Sequence, residues 1–332
     1  MAYLAGTYKT TDAIGNREDL SDMIYTISPT ETPFISQIAG RGKATATFHE
    51  WQIDSLVAAA VNGVVEGNDA TFTTAAPTTR VGNRTQISSK TILVSATQDV
   101  VDKAGRDSEY AYQAAKRMAE LKRDMEYTVT RNQASSAGSG SVARMLGSLE
   151  AWYTTTTSRG GSEGGSAGGV DGGFSSGNVL AATDSSTGAQ RTFTESLLKT
   201  AMQGAWTAGG QPDVVLVGPV NKMNASAFAG IATLYRDTAQ KKSNVSILGA
   251  ADIYVSDFGE VRIIAGRFNR EQTVHVLDSN MWSIDYLRPF KEEKLAKTGD
   301  GTKGQIVVEW TLKSKNEAAS AVIADILQTV TT

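Results

Sequence analysis

The stretch GNREDLSDMIYTISPTETPFISQI, residues 15–38, followed by TATFHEWQIDSL, residues 45–56, carries the signals that decide how this chain begins. A helix-prone segment ends at Pro29, and a second helix start follows, with Thr32 as N-cap and Pro33 at the first helical position. Alternating side chains up to Ile53 then predict a β-strand. The pattern indicates no catalytic group in this stretch. The layout is typical of an arm that leaves its own domain and lies on another surface.

The composition is that of a globular protein with more than one lobe. The chain has 332 residues, of which 40% are hydrophobic and 20% charged. A net charge of −3 argues against a general nucleic-acid coat, although a mildly acidic protein can surround DNA without binding it tightly. The absence of cysteine excludes disulfides and thiolate metal sites. No signal-peptide pattern opens the chain and no apolar run approaches ~18 residues, so we expect neither secretion nor a membrane span.

Residues 43–97 have strand character and predict one long two-stranded excursion. Residues 45–57 run outward, a polar tip rich in Gly, Thr and Pro follows, and residues 85–98 run back. Isolated hairpins are at best marginally stable in water, so an excursion of this length requires a partner surface. We expect Phe48, Trp51 and Ile53 to lie on a neighbouring subunit.

A long helix is predicted from Asp107 or Ser108 to Asn132. Apolar residues recur at intervals of three and four and form one narrow stripe. Lys116–Glu120 and Lys122–Glu126 have the i,i+4 spacing of ion pairs on exposed faces. About 25 residues at ~1.5 Å each give a rod of roughly 37 Å.

The second half of the chain reads as a mixture of helices and strands. The Gly/Ser-rich tract between Thr154 and Gln190 predicts a surface loop or flexible linker. Beyond it, helical faces are expected at 193–205 and 221–231. Strands are expected at 212–218, within 245–256, at 259–266, within 273–290, at 304–313 and within 316–326.

Few residues are suited to catalysis or metal binding. His49 lies in a strand beside Glu50, and His275 lies in an apolar strand, where we expect a satisfied, packed side chain. Neither has a second ligand at metal or triad spacing. The glycine run at 160–173 lacks the lysine of a phosphate loop and has no obvious preceding strand. The run at 299–304 has a lysine, Lys303, but leads into a strand and not into a helix. We therefore predict no catalytic, cofactor-binding or metal-binding residues.

Several segments together resemble the major capsid proteins of tailed bacteriophages, which have the Hong Kong 97-type fold. They are residues 15–34, HEWQIDSL at 49–56, the long helix, WSIDYLRPF at 282–290, LAKTGDGTKGQIVVEWTL at 295–312 and KNEAASAVIADI at 315–326. These segments span nearly the whole chain in order. They are similar to one subgroup in particular, long catalogued as a family of unknown function.

The resemblance implies an α+β architecture in which a final strand returns to the long helix, called the spine helix. Its expected parts are an N-terminal arm (1–42), an extended β-hairpin loop over a neighbouring subunit (43–97), a peripheral domain with the spine helix (98–150, helix at about 107–132), a Gly/Ser-rich loop (151–190), an axial domain near capsomer centres (191–290) and return strands of the peripheral domain (291–332).

The resemblance also implies a non-enzymatic function. The chain is expected to assemble with itself, as hexamers and pentamers, into the icosahedral shell around the double-stranded DNA genome of a tailed phage. Portal, scaffold and decoration proteins are the expected partners, DNA is enclosed without sequence-specific binding, and no membrane is involved. The expected location is the virion capsid, after assembly in the host cytoplasm. Two alternatives remain open: the shell of a cellular encapsulating compartment that holds cargo enzymes, and a soluble α/β enzyme with an unrecognised site.

Overall fold

The computed structural model of this protein describes residues 28, 30–70, 72, 74–103, 105–160, 169–185, 190–228 and 253–328. The helix-prone segment before Pro29, the end of the helix expected at 221–231 and the strand residues expected at 245–252 lie outside this set. The α-helices are α1 Ala96–Val100, α2 Glu109–Val129, α3 Glu195–Thr207 and α4 Pro219–Ser226; a π-helical turn covers Phe34–Ile38, and 3₁₀ helices cover Glu150–Trp152, Ser279–Met281 and Glu317–Ala319. The strands are β1 Gly40–Lys43, β2 Phe48–Ile53, β3 Thr79–Arg84, β4 Gln86–Ser95, β5 Thr157–Ser158, β6 Gly173–Ser175, β7 Asn178–Leu180, β8 Val214–Val217, β9 Ile253–Ser256, β10 Gly259–Ala265, β11 Val274–Leu277, β12 Trp282–Leu295, β13 Gly301–Ser314 and β14 Ala321–Ile323.

A four-stranded sheet in the order β1-β12-β13-β4 carries the spine helix α2. β12 and β13 form a long antiparallel hairpin, β4 is antiparallel to β13, and β1 is parallel to β12. Alternation along β13 buries Ile306, Val308, Trp310 and Leu312 on one face, as the sequence predicts. These side chains and the apolar stripe of α2 belong to the same hydrophobic core.

A six-stranded sheet in the order β5-β14-β11-β8-β10-β9 forms the second layer. All residues of β8, β11 and β14 are buried, which is why these strands read as short continuous apolar runs rather than alternating ones. One face of this sheet joins the core under α2, and the other packs against α3 in a second core. The two sheets and their helices confirm the α+β class.

Two pairings differ from the sequence-based expectation. Residues 86–95 do not run back along the outgoing strand, because β4 pairs with β13, and the partner of β2 is the shorter strand β3. The final strand β14 does not return to the spine helix but pairs with β11 in the six-stranded sheet. The three residues of β14 are all buried, and a strand of that kind fits the interior of a sheet covered on both faces.

The spine helix begins where the sequence predicts and ends earlier. The Ser108 side chain accepts a hydrogen bond from the Ala111 N–H, as an N-cap does. The helix stops at Val129, and the hydroxyl oxygen of Thr130 lies 3.0 Å from the carbonyl oxygen of Glu126 and 2.9 Å from that of Phe268. This hydroxyl ties the end of the spine to the loop that precedes β11.

The Gly/Ser-rich tract is not a free linker in its described parts. β6 and β7 form a small hairpin, in which Val179 is fully buried and Phe174 stacks on Trp152 with ring centroids 6.3 Å apart. A Cβ at Gly172 would lie 2.3 Å from the Leu180 carbonyl oxygen, so glycine permits a close backbone approach there. The expectation of a surface loop is therefore wrong for residues 169–185, while residues 161–168 lie outside the described set.

Candidate functional site

The segment between β2 and β3, residues 54–78, is the most exposed apolar part of the described chain. β2 and β3 pair from Phe48 with Arg84 to Ile53 with Thr79, and the described residues between them belong to no helix or strand. Leu56, Val61 and Phe72 are 98%, 103% and 96% exposed. Contiguous apolar exposure of this kind marks an interaction site in a soluble protein. We call residues 54–78 the projecting segment.

The base of this hairpin packs on its own chain. Trp51 contacts Trp152 with ring centroids 5.5 Å apart, and Ile53 packs against the same core. The alternation of β2 turns both side chains towards the body of their own molecule, where they are half-buried. Their expected contact with a neighbouring subunit stays a prediction. The apolar side chains beyond Ile53 are exposed.

Both histidines have structural surroundings. His49 Nε2 lies 2.9 Å from Asp285 Oδ2, a hydrogen bond that fastens β2 to β12. His275 is fully buried and stacks on Tyr153, but neither ring nitrogen has a hydrogen-bond partner among the described residues, so the expectation of a satisfied side chain is wrong. Burial, together with the positive charges of Arg270 and Arg159, lowers the pKa of His275 to about 3. The ring is therefore neutral at physiological pH.

The short helical turn of the arm is held by a carboxylate of the spine helix. Glu126 accepts hydrogen bonds from the backbone N–H groups of Phe34 at 2.7 Å and Ile35 at 2.9 Å. Thr32 was expected to cap this turn, but no side-chain cap is formed there, and the Thr32 hydroxyl lies 2.7 Å from that of Ser36. The acceptor for these N–H groups is thus a side chain that lies 92 residues after Phe34 and 91 residues after Ile35.

This contact changes the charge pattern expected for the spine. Glu126 is 1% exposed, so it is not part of a surface pair with Lys122, and Glu120 pairs with Arg117 at 2.7 Å rather than with Lys116. Burial raises the pKa of Glu126 to about 7, against the opposing effect of its two backbone hydrogen bonds. Sequence reasoning missed this role, although position 126 directly follows the buried Met125 of the apolar stripe.

A second buried carboxylate links the 3₁₀ helix at residues 150–152 to the residues before β11. Glu150, in the 3₁₀ helix beside the main core, is fully buried and accepts a hydrogen bond from Arg270 at 2.7 Å. Arg270 leads into β11, and it also contacts Asp184. Arg159 lies 3.7 Å from Glu150 and donates to Asp171 at 2.6 Å. Because breaking a buried pair leaves an uncompensated charge, this network acts as a joint that holds these segments together.

The described residues contain neither a metal-binding cluster nor a membrane-spanning helix. No group of three or more His, Asp or Glu side chains among them is placed to hold a metal ion. None of the helices in the described ranges has both the length and the hydropathy to span a bilayer. The exposed apolar segment and the anchored arm are features typical of proteins that make contacts between chains.

The comparisons with known proteins agree with this interpretation. The family model described as "SU10 major capsid protein" matches residues 7–327. The major capsid protein of Escherichia phage Phieco32 is 27% identical over 337 residues, which cover 94% of this chain and 95% of that protein. A structure of the capsid asymmetric unit of cyanophage A-1(L) matches with a TM-score of 0.60 and 14% identity, over 96% of this chain and 98% of its own.

An encapsulin shares the same fold. The holo-SrpI encapsulin complex of Synechococcus elongatus matches with a TM-score of 0.55 and 12% identity, over 96% of this chain and 95% of its own. At this identity the likeness shows the fold alone, whereas the family model covers nearly the whole sequence. The chain belongs to the SU10 major capsid protein family.

Proposed function

We propose that this tailed-phage major capsid protein builds an icosahedral shell by laying its projecting segment on a neighbouring copy. The observation that carries the proposal is the segment itself, whose valines, leucine and phenylalanine are exposed at the end of a hairpin fastened to a rigid body. Exposed apolar residues in such number are costly in a free monomer, and burying them against another subunit stabilises the assembly.

The division of labour that we propose follows the family pattern. The arm at 1–42 and the loop at 43–97 make contacts between subunits. Residues 98–150 and most of 291–332 form the peripheral domain, residues 191–290 form the axial domain near capsomer centres, and 151–190 is the Gly/Ser-rich region. Because β14 pairs within the six-stranded sheet, we group Ala321–Ile323 with the axial domain. Weak contacts of this kind become strong when closed symmetry repeats them.

The finer partners are also part of the proposal. The chain assembles as hexamers and pentamers in the host cytoplasm and remains in the virion, with portal, scaffold and decoration proteins as further partners. It encloses DNA without sequence-specific contacts, in keeping with its net charge of −3. It acts as a structural protein and not as an enzyme. The alternative of a cargo compartment is supported by the encapsulin fold alone.

Replacing the projecting segment tests the proposal. Ile53 and Thr79 are paired, so an Asn-Gly turn in place of residues 54–78 closes the hairpin with a two-residue loop. The variant is expected to keep the stability of the parent monomer and to form no shells, as judged by negative-stain microscopy and light scattering. A control with residues 62–63 exchanged from Asn-Gly to Ser-Gly should assemble normally. Shells of normal yield from the loop-replaced variant would refute the proposed role.

A further inference from the structure

A cleft on the body of the molecule has the character that a partner for the projecting segment requires. Its volume is about 220 Å³, and it opens between the arm, the spine helix and the outer edge of β12. Its lining combines apolar and basic side chains: Ile35, Arg41, Lys122, Tyr286, Pro289 and Phe290. Tyr286 and Phe290 are half-buried, with ring centroids 6.1 Å apart.

The two cations at this cleft have no ion-pair partner among the residues that the structure describes. Glu126 turns inward to hold the arm, so Lys122 lacks the carboxylate that its i+4 spacing offers. Neither Lys122 nor Arg41 forms an ion pair or hydrogen bond through its side chain within the described residues. The cleft is therefore lined by two aromatic rings and two cations, and no described residue pairs with either cation.

The projecting segment has the opposite character. Residues 54–78 contain three acidic residues, Asp54, Glu66 and Asp69, and no lysine or arginine. Phe72 is the segment's one aromatic residue and is 96% exposed, so it does not fill the cleft of its own chain. In extended chain, Asp69 stands about 10 Å from Phe72, which lets one side chain enter a slot while the other reaches a cation at its edge.

The strand next to the cleft is also open to an extended neighbour. β1 pairs with β12 only between Ser283 and Tyr286, so the outer edge of β12 beyond Tyr286 has no strand partner among the described residues. An exposed strand edge accepts an added extended segment through main-chain hydrogen bonds. The open edge of β12, the aromatic cleft and its two cations thus all favour an extended, acidic segment that carries an aromatic side chain.

We propose that the cleft lined by Tyr286, Pro289 and Phe290 receives Phe72 of a second copy of this chain, with Asp69 of that copy paired to Arg41 and Lys122. This inference rests on the proposed role of the projecting segment in subunit contacts and names the surface on which it docks. An aromatic side chain in a slot, ringed by a complementary charge pair, is a common form of interface hot spot.

Because the chain has no cysteine, an engineered pair reports this contact directly. Phe72→Cys combined with Pro289→Cys is expected to give disulfide-linked oligomers on a denaturing gel under mild oxidation, more strongly at higher protein concentration. Val61→Cys with Pro289→Cys, which moves the thiol within the same segment, should link at least tenfold less. A link within one chain, or equal linking by both pairs, would overturn the proposal.

Charge reversal provides an independent measurement. Arg41→Glu with Lys122→Glu is expected to lower the yield of shells at least tenfold, and adding Asp69→Lys should restore most of it, which a folding defect would not allow. Normal shells from the double reversal, together with no Phe72–Pro289 link, would refute the cleft and leave the subunit-contact role intact. Failure of the parent protein to form shells, together with no Phe72–Pro289 link in the cysteine pair, would refute both.

Discussion

At the scale of single residues, Glu126 shows how a buried carboxyl group can order a segment that has little core of its own. The arm turn buries Phe34, Ile35 and Ile38, and its first two free N–H groups are satisfied by the Glu126 carboxylate. A free N–H pair buried without an acceptor would cost about 1–3 kcal/mol for each group. The position of the arm is therefore coupled to one side chain of the spine.

Glu126 predicts a particular pH dependence. Its pKa rises from an ordinary value of 4.5 to about 7, so the folded protein binds the proton more tightly than the unfolded chain. The contribution of this group to stability is therefore highest below pH 4.5 and falls as the pH rises towards 7, by ~3 kcal/mol. In urea unfolding, the free energy of unfolding of the wild type should fall across this window relative to that of Glu126→Gln. The difference between wild type and the exposed control Glu66→Gln should not change with pH. A constant difference between wild type and Glu126→Gln would contradict the assignment.

His275 predicts the opposite dependence. Its pKa falls from 6.5 to about 3, so the unfolded chain binds the proton more tightly and the group destabilises the fold as the pH drops below 6.5. Between pH 6.5 and pH 4 the expected loss is ~3 kcal/mol. His275→Phe, which retains the stacking on Tyr153, should remove this acid-dependent loss whatever its effect at neutral pH. An acid slope equal to that of wild type would show that another group titrates.

At the scale of elements, the sequence pattern predicted most features that depend on residues close together in the chain. The Ser108 cap, the stripe of α2 and the alternation of β13 are all in the structure, because each depends on neighbours within a few residues. The pairing of β4 with β13 and of β14 with β11 was not predictable, since these partners lie far apart in sequence. The Glu126 contact joins residues separated by more than 90 positions, and no local pattern announces it.

Two substitutions in the hairpin distinguish an effect on folding from an effect on assembly. Trp51, on strand β2 of the hairpin, packs against Trp152. Trp51→Ala should therefore reduce the free energy of unfolding by about 2 kcal/mol, and assembly should be impaired as a consequence. Phe72→Ala removes a side chain that is 96% exposed and should leave the monomer's urea midpoint unchanged. Equal midpoints for wild type and Trp51→Ala would mean that Trp51 serves only contacts between subunits.

At the scale of the whole molecule, the number of basic residues determines whether a shell protein can bind the DNA that it encloses. Neutralising phosphates requires clustered Lys and Arg, whereas this chain has 32 basic and 35 acidic residues. The basic side chains Arg159 and Arg270 are committed to the buried joint with Glu150 and its neighbours. On the proposed function, the closed shell would therefore retain a genome by enclosure rather than by affinity.

This view predicts that the unassembled protein does not retain duplex DNA at physiological salt. In a gel mobility assay at 150 mM salt, a 200-base-pair fragment should migrate as free DNA up to micromolar protein, because a chain with a net charge of −3 releases few counterions on contact. A lysine-rich protein of similar size, run in parallel, should shift the same fragment and lose it as salt rises. If this chain shifts the DNA with a comparable salt dependence, a basic surface exists that net charge conceals, and retention by affinity would replace retention by enclosure.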